Sequence, residues 1–159
     1  MNEYDKRIEI VKKTEDEVED IINSLSKKEK NLAGIKDGEK YKNPEEYKRV
    51  IKRVIIRVNK KAVAFFDLNE YDNGYNAVVF TRNEDKYRNK GYASKAIKIA
   101  LKWYDENKYK YKKPIIWWSE KRNIPSQKLA EKMGFKRDSS IEKSNDEWIR
   151  NNWIKYIYN

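Results

Sequence analysis

Few residue types in this chain could do chemistry, and they cluster. The 159 residues contain no His and no Cys. That removes Ser-His-Asp and Cys-His nucleophile units, thiolates, disulfides and the commonest zinc ligands. Chemistry is left to carboxylates, hydroxyls, Lys, Arg and the backbone, and two stretches gather such groups. In Tyr87-Arg88-Asn89-Lys90-Gly91-Tyr92-Ala93, a small residue at Gly91 lets backbone N–H groups converge just before an apolar-periodic segment. A helix starting there adds unpaired N–H groups and a positive dipole end, and Arg88, Lys90 and Lys95 add full charges. That combination suits a pyrophosphate, although an ordinary basic strand-to-helix turn has the same composition. The second stretch runs from Asn123 to Phe135. Asn123 can cap a helix, Ser126 sits in its first turn, and Gly134 stops it before the aromatic Phe135.

Elements of alternating type must position these stretches. Arg7 to Val11 alternates and is predicted as a short strand. Thr14 with Glu17 fits a capping box, opening a helix whose apolar face is Val18, Ile21, Ile22 and Leu25. Ser26 to Lys42 is polar and glycine-containing, a predicted loop in which a short helical turn is also open. Asn43-Pro44-Glu45-Glu46 starts a second helix, with Tyr47, Val50 and Ile51 as its apolar face. Val54–Val58, Ala62–Leu68 and Tyr75–Thr81 are predicted as a three-strand meander, joined at Asn59-Lys60-Lys61 and at Asp72-Asn73-Gly74, where Asn and Gly tolerate positive φ. A helical stripe follows through Ala93, Ala96, Ile97, Ala100, Leu101 and Tyr104. Next come a strand over Ile115–Ser119, a helix from about Pro125 to Met133, a strand beginning at Phe135–Arg137 and a last strand over Trp153–Tyr158. The order is β-α-α-β-β-β-α-β-α-β-β, with no repeat or linker dividing the chain, so residues 1–159 are expected to form one domain.

Charge is uneven. Residues 1–50 hold 12 basic and 13 acidic side chains, a net of −1, and residues 51–159 hold 25 and 13, a net of +12. Basic excess suggests an anionic partner such as RNA or a phosphate-bearing cofactor, although Lys, Asn, Ile and Tyr also share AT-rich codons. The 12 Tyr and 5 Trp interleaved with Lys and Arg would also suit a single-strand nucleic-acid-binding module. There is no apolar run of membrane-spanning length and no signal-like start, so a cytoplasmic location without a membrane partner is expected. Adjacent Trp117 and Trp118 should face opposite sides of their strand. Trp148, Trp153, Tyr156 and Tyr158 suit either sheet packing or an interface, leaving monomer and homodimer both open.

Together the two stretches resemble the GNAT superfamily of acetyl-CoA-dependent N-acetyltransferases. Its cofactor signature, Gln/Arg-x-x-Gly-x-Gly/Ala, is matched by Arg88-Asn89-Lys90-Gly91-Tyr92-Ala93. An Asn followed by a helix ending in Gly-Phe is matched by Asn123 to Phe135, in a form most similar to the RimJ/RimL-type branch. The resemblance implies an α+β (α/β three-layer) fold with helices on both faces. Its mixed, mostly antiparallel central sheet, of about six to seven strands, is opened like a V between Tyr75–Thr81 and Ile115–Ser119. It implies acetyl-CoA as co-substrate and no metal. Pantetheine would lie along Val78, Val79 and Phe80. The pyrophosphate would sit on Arg88, Asn89, Lys90, Gly91, Tyr92, Ala93 and Ser94, with Asn123 and Ser126 also touching the cofactor. The reaction implied is direct attack of an acceptor amine on the thioester: a protein N-terminus, a small amine or an aminoacyl-tRNA. The family's usual acid, a Tyr four residues before the Gly, is Ala130 here, and resemblance to the branch nominates Ser126 instead. For the base, the nearest carboxylates are Asp67, Glu70 and Glu120. A domain that binds acyl-CoA without turnover is the alternative that Ala130 keeps open.

Overall fold

The computed structural model describes residues 2–36, 38 and 40–159; Met1, Asp37 and Glu39, which fall within the predicted start and loop, lie outside the described residues. The chain opens with α1 (Glu3–Asn23), α2 (Lys27–Leu32) and α3 (Pro44–Tyr47), followed by the meander β1 (Val50–Val58), β2 (Lys61–Tyr71) and β3 (Gly74–Thr81). Then come α4 (Tyr92–Glu106), β4 (Ile115–Glu120), α5 (Ile124–Lys132), β5 (Lys136–Arg137), α6 (Glu147–Asn152) and β6 (Trp153–Tyr158). The six strands form one sheet in the order β1-β2-β3-β4-β6-β5. Every pairing is antiparallel except β3 with β4.

Three expectations are corrected. Arg7–Val11 is not a strand but lies within α1, and the sheet has six strands without it. The alternation there is only five residues long. The period that decides the segment is Val11, Thr14, Val18, Ile21 and Ile22, a helical stripe facing the sheet. Thr14 therefore opens nothing: Asn2 is the cap, and the Thr14 hydroxyl donates back to the Ile10 carbonyl at 2.7 Å. The polar stretch after it holds α2, with a capping box formed by Ser26 and Glu29. Finally, α3 stops at Tyr47, so Val50 and Ile51 belong to β1.

The turns were located correctly, for partly different reasons. Asn59 and Lys60 both take positive φ, as a two-residue hairpin with right-twisted strands requires. Gly74 does not take positive φ. It is needed because a Cβ there would come within 2.5 Å of the Pro114 carbonyl.

Two cores sandwich the sheet. On one face α4 and α5 cover Val54, Phe66, Leu68, Ile115, Trp117 and Tyr156. On the other, α1 and α3 cover Val50, Ala62 and Phe65. A buried ion pair fastens α1 to its face. Arg53 forks onto Asp67 with two 2.8 Å bonds, and its remaining nitrogen donates to the Val11 carbonyl and the Thr14 hydroxyl. Burial pushes the Asp67 carboxyl up against the opposing pull of Arg53. Replacing Asp67 with Asn leaves the guanidinium buried without its counter-charge. Loss of about 3–5 kcal/mol is expected, read as a lower urea midpoint at unchanged slope. A midpoint equal to wild type would show that the pair does not fasten the helix.

Candidate functional site

The site is a break in the sheet. β3 and β4 pair only at Tyr75 with Ile115 and Asn76 with Ile116, then part company. On its other side β3 stays bonded to β2 as far as Thr81. The outer edge of β3 from Ala77 onward therefore carries alternate backbone groups with no strand beside them. A cleft opens there between Val78, Val79 and Phe80 on one wall and Trp117, Trp118 and Ser119 on the other. Trp117 and Trp118 face opposite ways as expected: Trp117 is buried, while Trp118 is 39% exposed and lines the cleft.

At one end the cleft runs into a cavity of about 790 Å³ bounded by Arg88 to Ser94, Asn123, Ser126 and Leu129. The turn before α4 is built for this position. Asn89 and Gly91 both take positive φ (56° and 81°), which turns the chain abruptly into the helix. Gly91 is the N-cap and offers no side chain, and the first helical bond is from the Lys95 N–H to the Gly91 carbonyl. The N–H groups of Tyr92, Ala93 and Ser94 thus have no partner within the helix, and they border the cavity. Full charge comes from an unexpected set. Lys90 lines the cavity, together with Lys28 and Lys132, whereas Lys95 is exposed and does not. Arg88 turns back, donating to the Thr81 and Arg82 carbonyls and pairing with Glu29 of α2 at 2.8 Å. It ties the end of β3 to the turn and to α2.

On the opposite wall Asn123 caps α5, accepting from the Ser126 N–H. The Ser126 hydroxyl accepts from the Trp117 indole N–H at 3.0 Å, and its own proton has no acceptor among the described residues. Ser126 borders both the cleft and the larger cavity. Ala130, one turn on, is fully buried in the core.

The carboxylates named from sequence separate. Glu120 reaches the cleft, held by Arg122 at 2.6 Å. Asp67 borders an adjoining cavity but is committed to Arg53. Glu70 is not brought to the cleft. Strand alternation puts it on the face opposite Asp67 and Asn69, where it pairs with Lys113. Sequence reasoning missed Glu46, which borders both the cleft and the adjoining cavity. Its two oxygens accept from the Asn69 amide at 2.8 Å and the Tyr71 hydroxyl at 2.5 Å. Burial and this carboxylate push the Tyr71 phenol up to about 12, so it remains a donor at neutral pH. In the sequence Glu46 stands only as the last residue of the helix start Asn43-Pro44-Glu45-Glu46. Among the described residues no cluster of three or more acidic side chains could hold a metal ion, and no helix is long and apolar enough to cross a membrane.

The acetyltransferase (GNAT) domain family matches residues 7–136. The chain belongs to that family. The GNAT match takes in β1 to β4, the turn before α4, and α5, and so both walls of the cleft. Solved structures share the fold. An acetyltransferase from Agrobacterium tumefaciens is 12% identical with a TM-score of 0.60, over 87% of this chain and 82% of that one. A candidate streptothricin acetyltransferase from Bacillus anthracis, solved in complex with acetyl coenzyme A, is 19% identical with a TM-score of 0.52, over 74% of this chain and 69% of that one. An N-acetyltransferase from Staphylococcus aureus is 16% identical with a TM-score of 0.52, over 67% and 66%. No curated protein matches the sequence.

The left-handed turn gives a direct test. A Cβ at Gly91 meets nothing within 4 Å, so Gly91→Ala changes only backbone strain. A stability loss of about 1–2 kcal/mol is expected by thermal melting; a neutral substitution would place the turn in another conformation.

Proposed function

We propose that this GNAT domain is an N-acetyltransferase that moves the acetyl group of acetyl-CoA directly to a primary amine. The observation that carries this is the cleft itself. A strand edge with unpaired backbone groups leads, without interruption, to a turn offering free helix N–H groups and lysines. That order suits pantetheine followed by pyrophosphate. The Bacillus anthracis structure with acetyl coenzyme A supports the same ligand in the same fold. In this reading, pantetheine lies along Val78, Val79 and Phe80, and the pyrophosphate rests on Gly91 to Ser94 with Lys28, Lys90 and Lys132 around it. Asn123 shapes the wall beside the thioester. The form of Asn123 to Phe135 favours the RimJ/RimL-type branch.

The chemistry needs no covalent enzyme intermediate, which fits a chain without His or Cys. The amine lone pair attacks the thioester carbonyl, whose oxygen takes a hydrogen bond from the exposed edge of β3. The C–N bond forms, the C–S bond breaks and the amine gives a proton up to water. CoA thiolate gains one from Ser126, which takes one back from water. The Trp117 N–H fills one lone pair of Ser126 and leaves its proton free to point into the cleft. This replaces the phenol that Ala130 cannot supply.

Acetyl-CoA at a hundred times its dissociation constant should stabilise the fold by about 2.7 kcal/mol in a thermal-shift titration. Gly91→Glu should abolish that shift by placing a carboxylate where the pyrophosphate must lie. A shift with an oligonucleotide and none with acetyl-CoA would overturn the enzyme reading in favour of a nucleic-acid-binding module. Ser126→Ala should lower turnover at saturating acetyl-CoA by about 100-fold while leaving its affinity within twofold. Equal losses in both would reduce Ser126 to a binding contact.

A further inference from the structure

The cavity beside the cleft has its own chemistry. It measures about 270 Å³ and meets the cleft at Ala33, Glu46, Val78 and Phe80. Aromatic rings from Tyr41, Tyr47, Phe65 and Phe80 line it. The cleft's charged lining residues are Glu46 and Glu120, and the cavity's are Glu46 and Asp67, with no Lys or Arg described at either. Asp67 is neutralised by Arg53 and Glu120 is held by Arg122, which leaves Glu46 as the carboxylate without a cationic partner among the described residues. The phosphate end is the reverse: Lys28, Lys90, Arg88 and Lys132 face one acid, Glu29, which Arg88 pairs.

A second observation points to a missing donor. Asn69 is 2% exposed and lines the cavity, and its Oδ1 has no hydrogen-bond partner among the described residues. Its orientation is fixed by Glu46, because a carboxylate oxygen can face the amide nitrogen but not the amide oxygen. A buried acceptor left unpaired is costly, so the site is complete only when something brings an N–H or O–H to it.

We infer that this cavity receives the acceptor as a small aliphatic primary ammonium, and that Glu46 is the group that binds and deprotonates it. The inference rests on the N-acetyltransferase reading above. The ammonium donates to the Glu46 carboxylate and to Asn69 Oδ1, with the aromatic wall around its carbon chain and charge. Tyr71 and the Asn69 amide hold the carboxylate in place. Glu46 takes one proton and later yields it to water. The freed lone pair attacks the thioester carbonyl in the cleft; as the C–S bond breaks the second amine proton passes to water, and water restores the proton that Ser126 gives to the thiolate. Ser126 and Glu46 border the same cleft from opposite walls, Ser126 from α5 and Glu46 from α3, so the acid and the base flank the reacting carbon. Asn69 is a positioning residue. An anionic acceptor, RNA included, meets the Glu46 carboxylate here, which no described cation pairs.

The experiment uses full-length protein, acetyl-CoA and three probes: butylamine, 4-aminobutyrate of the same chain length, and an aminoacylated RNA minihelix. Thiol release should give a kcat/KM for butylamine at least about tenfold above the other two. Glu46→Gln should cut it by about 100-fold at pH 7 with the acetyl-CoA thermal shift unchanged. The deficit should shrink by about tenfold per pH unit as the free amine forms by itself, and Glu46→Asp should recover part of the rate. A purely structural loss would be independent of pH. Wild-type turnover in Glu46→Gln, preference for 4-aminobutyrate or RNA, or acetyl-CoA binding without acetylation of any probe would overturn the acceptor assignment and leave cofactor binding standing. Absence of the acetyl-CoA shift in wild type would overturn the enzyme reading and this inference with it.

Discussion

The structure depends on a parallel pairing that lasts two residues. Gly74 lets the Pro114 carbonyl approach, the Tyr75 N–H donates to that carbonyl at 2.9 Å, and the ladder holds through Asn76 and Ile116. Beyond that point the two strands have different obligations. β3 stays paired with β2, and β4 with β6 along its whole length to Glu120. Each half of the sheet is satisfied on its own, so the gap can persist without breaking either ladder. What the gap leaves is a row of backbone donors and acceptors on one strand edge, groups that need either water or a ligand.

Each wall is kept rigid by its own packing. Below β4, Trp117 packs edge-on against Phe135 and spends its indole N–H on Ser126. The same side chain thus fills the core and orients a hydroxyl in the cleft. On the other wall, Tyr71 and Asn69 project from β2 to hold Glu46 on a four-residue helix that could not hold a carboxylate steady alone. Arg53 and Asp67 sit beneath this arrangement and pin α1 behind it. The cleft is therefore bounded by two packed halves, one built mainly from the first 80 residues and one from the last 50. The α4 turn closes the end between them.

How far the sequence revealed this follows from the range of each interaction. The turn before α4 and the start of α5 were legible because their signals are local. Gly91 supplies a left-handed φ, Asn123 supplies a cap, and Arg88 to Ala93 fits a short pattern. The meander was legible from alternation and turn residues. The start of α1 was not, since five alternating residues mimicked a strand while the decisive helical stripe extended well past them. Arg88 and Lys95 were assigned to the phosphate end by proximity in sequence, yet only the fold shows that Arg88 turns back to β3 and that Lys28 and Lys132 arrive from α2 and α5. Glu46 was the hardest to see. Nothing near it in sequence marks it, and its partners lie 23 and 25 residues away on a strand.

The net charge of +11 illustrates the same limit. A sum over the chain treats every lysine as equally present at the site, but in salt an exposed charge is felt over only about 8–10 Å. What a ligand meets is the lining. Here the lining changes sign along one continuous cleft, from Lys28, Lys90 and Lys132 at the α4 turn to Glu46 beyond the Trp118 wall, with Arg88–Glu29 and Arg122–Glu120 paired off at either end. In the proposed reading, acetyl-CoA and an ammonium acceptor would lie with the anionic end toward α4 and the cationic end toward α3. The opposite ends of the cleft are set by side chains from elements far apart in the chain, which the break in the sheet brings to a common gap.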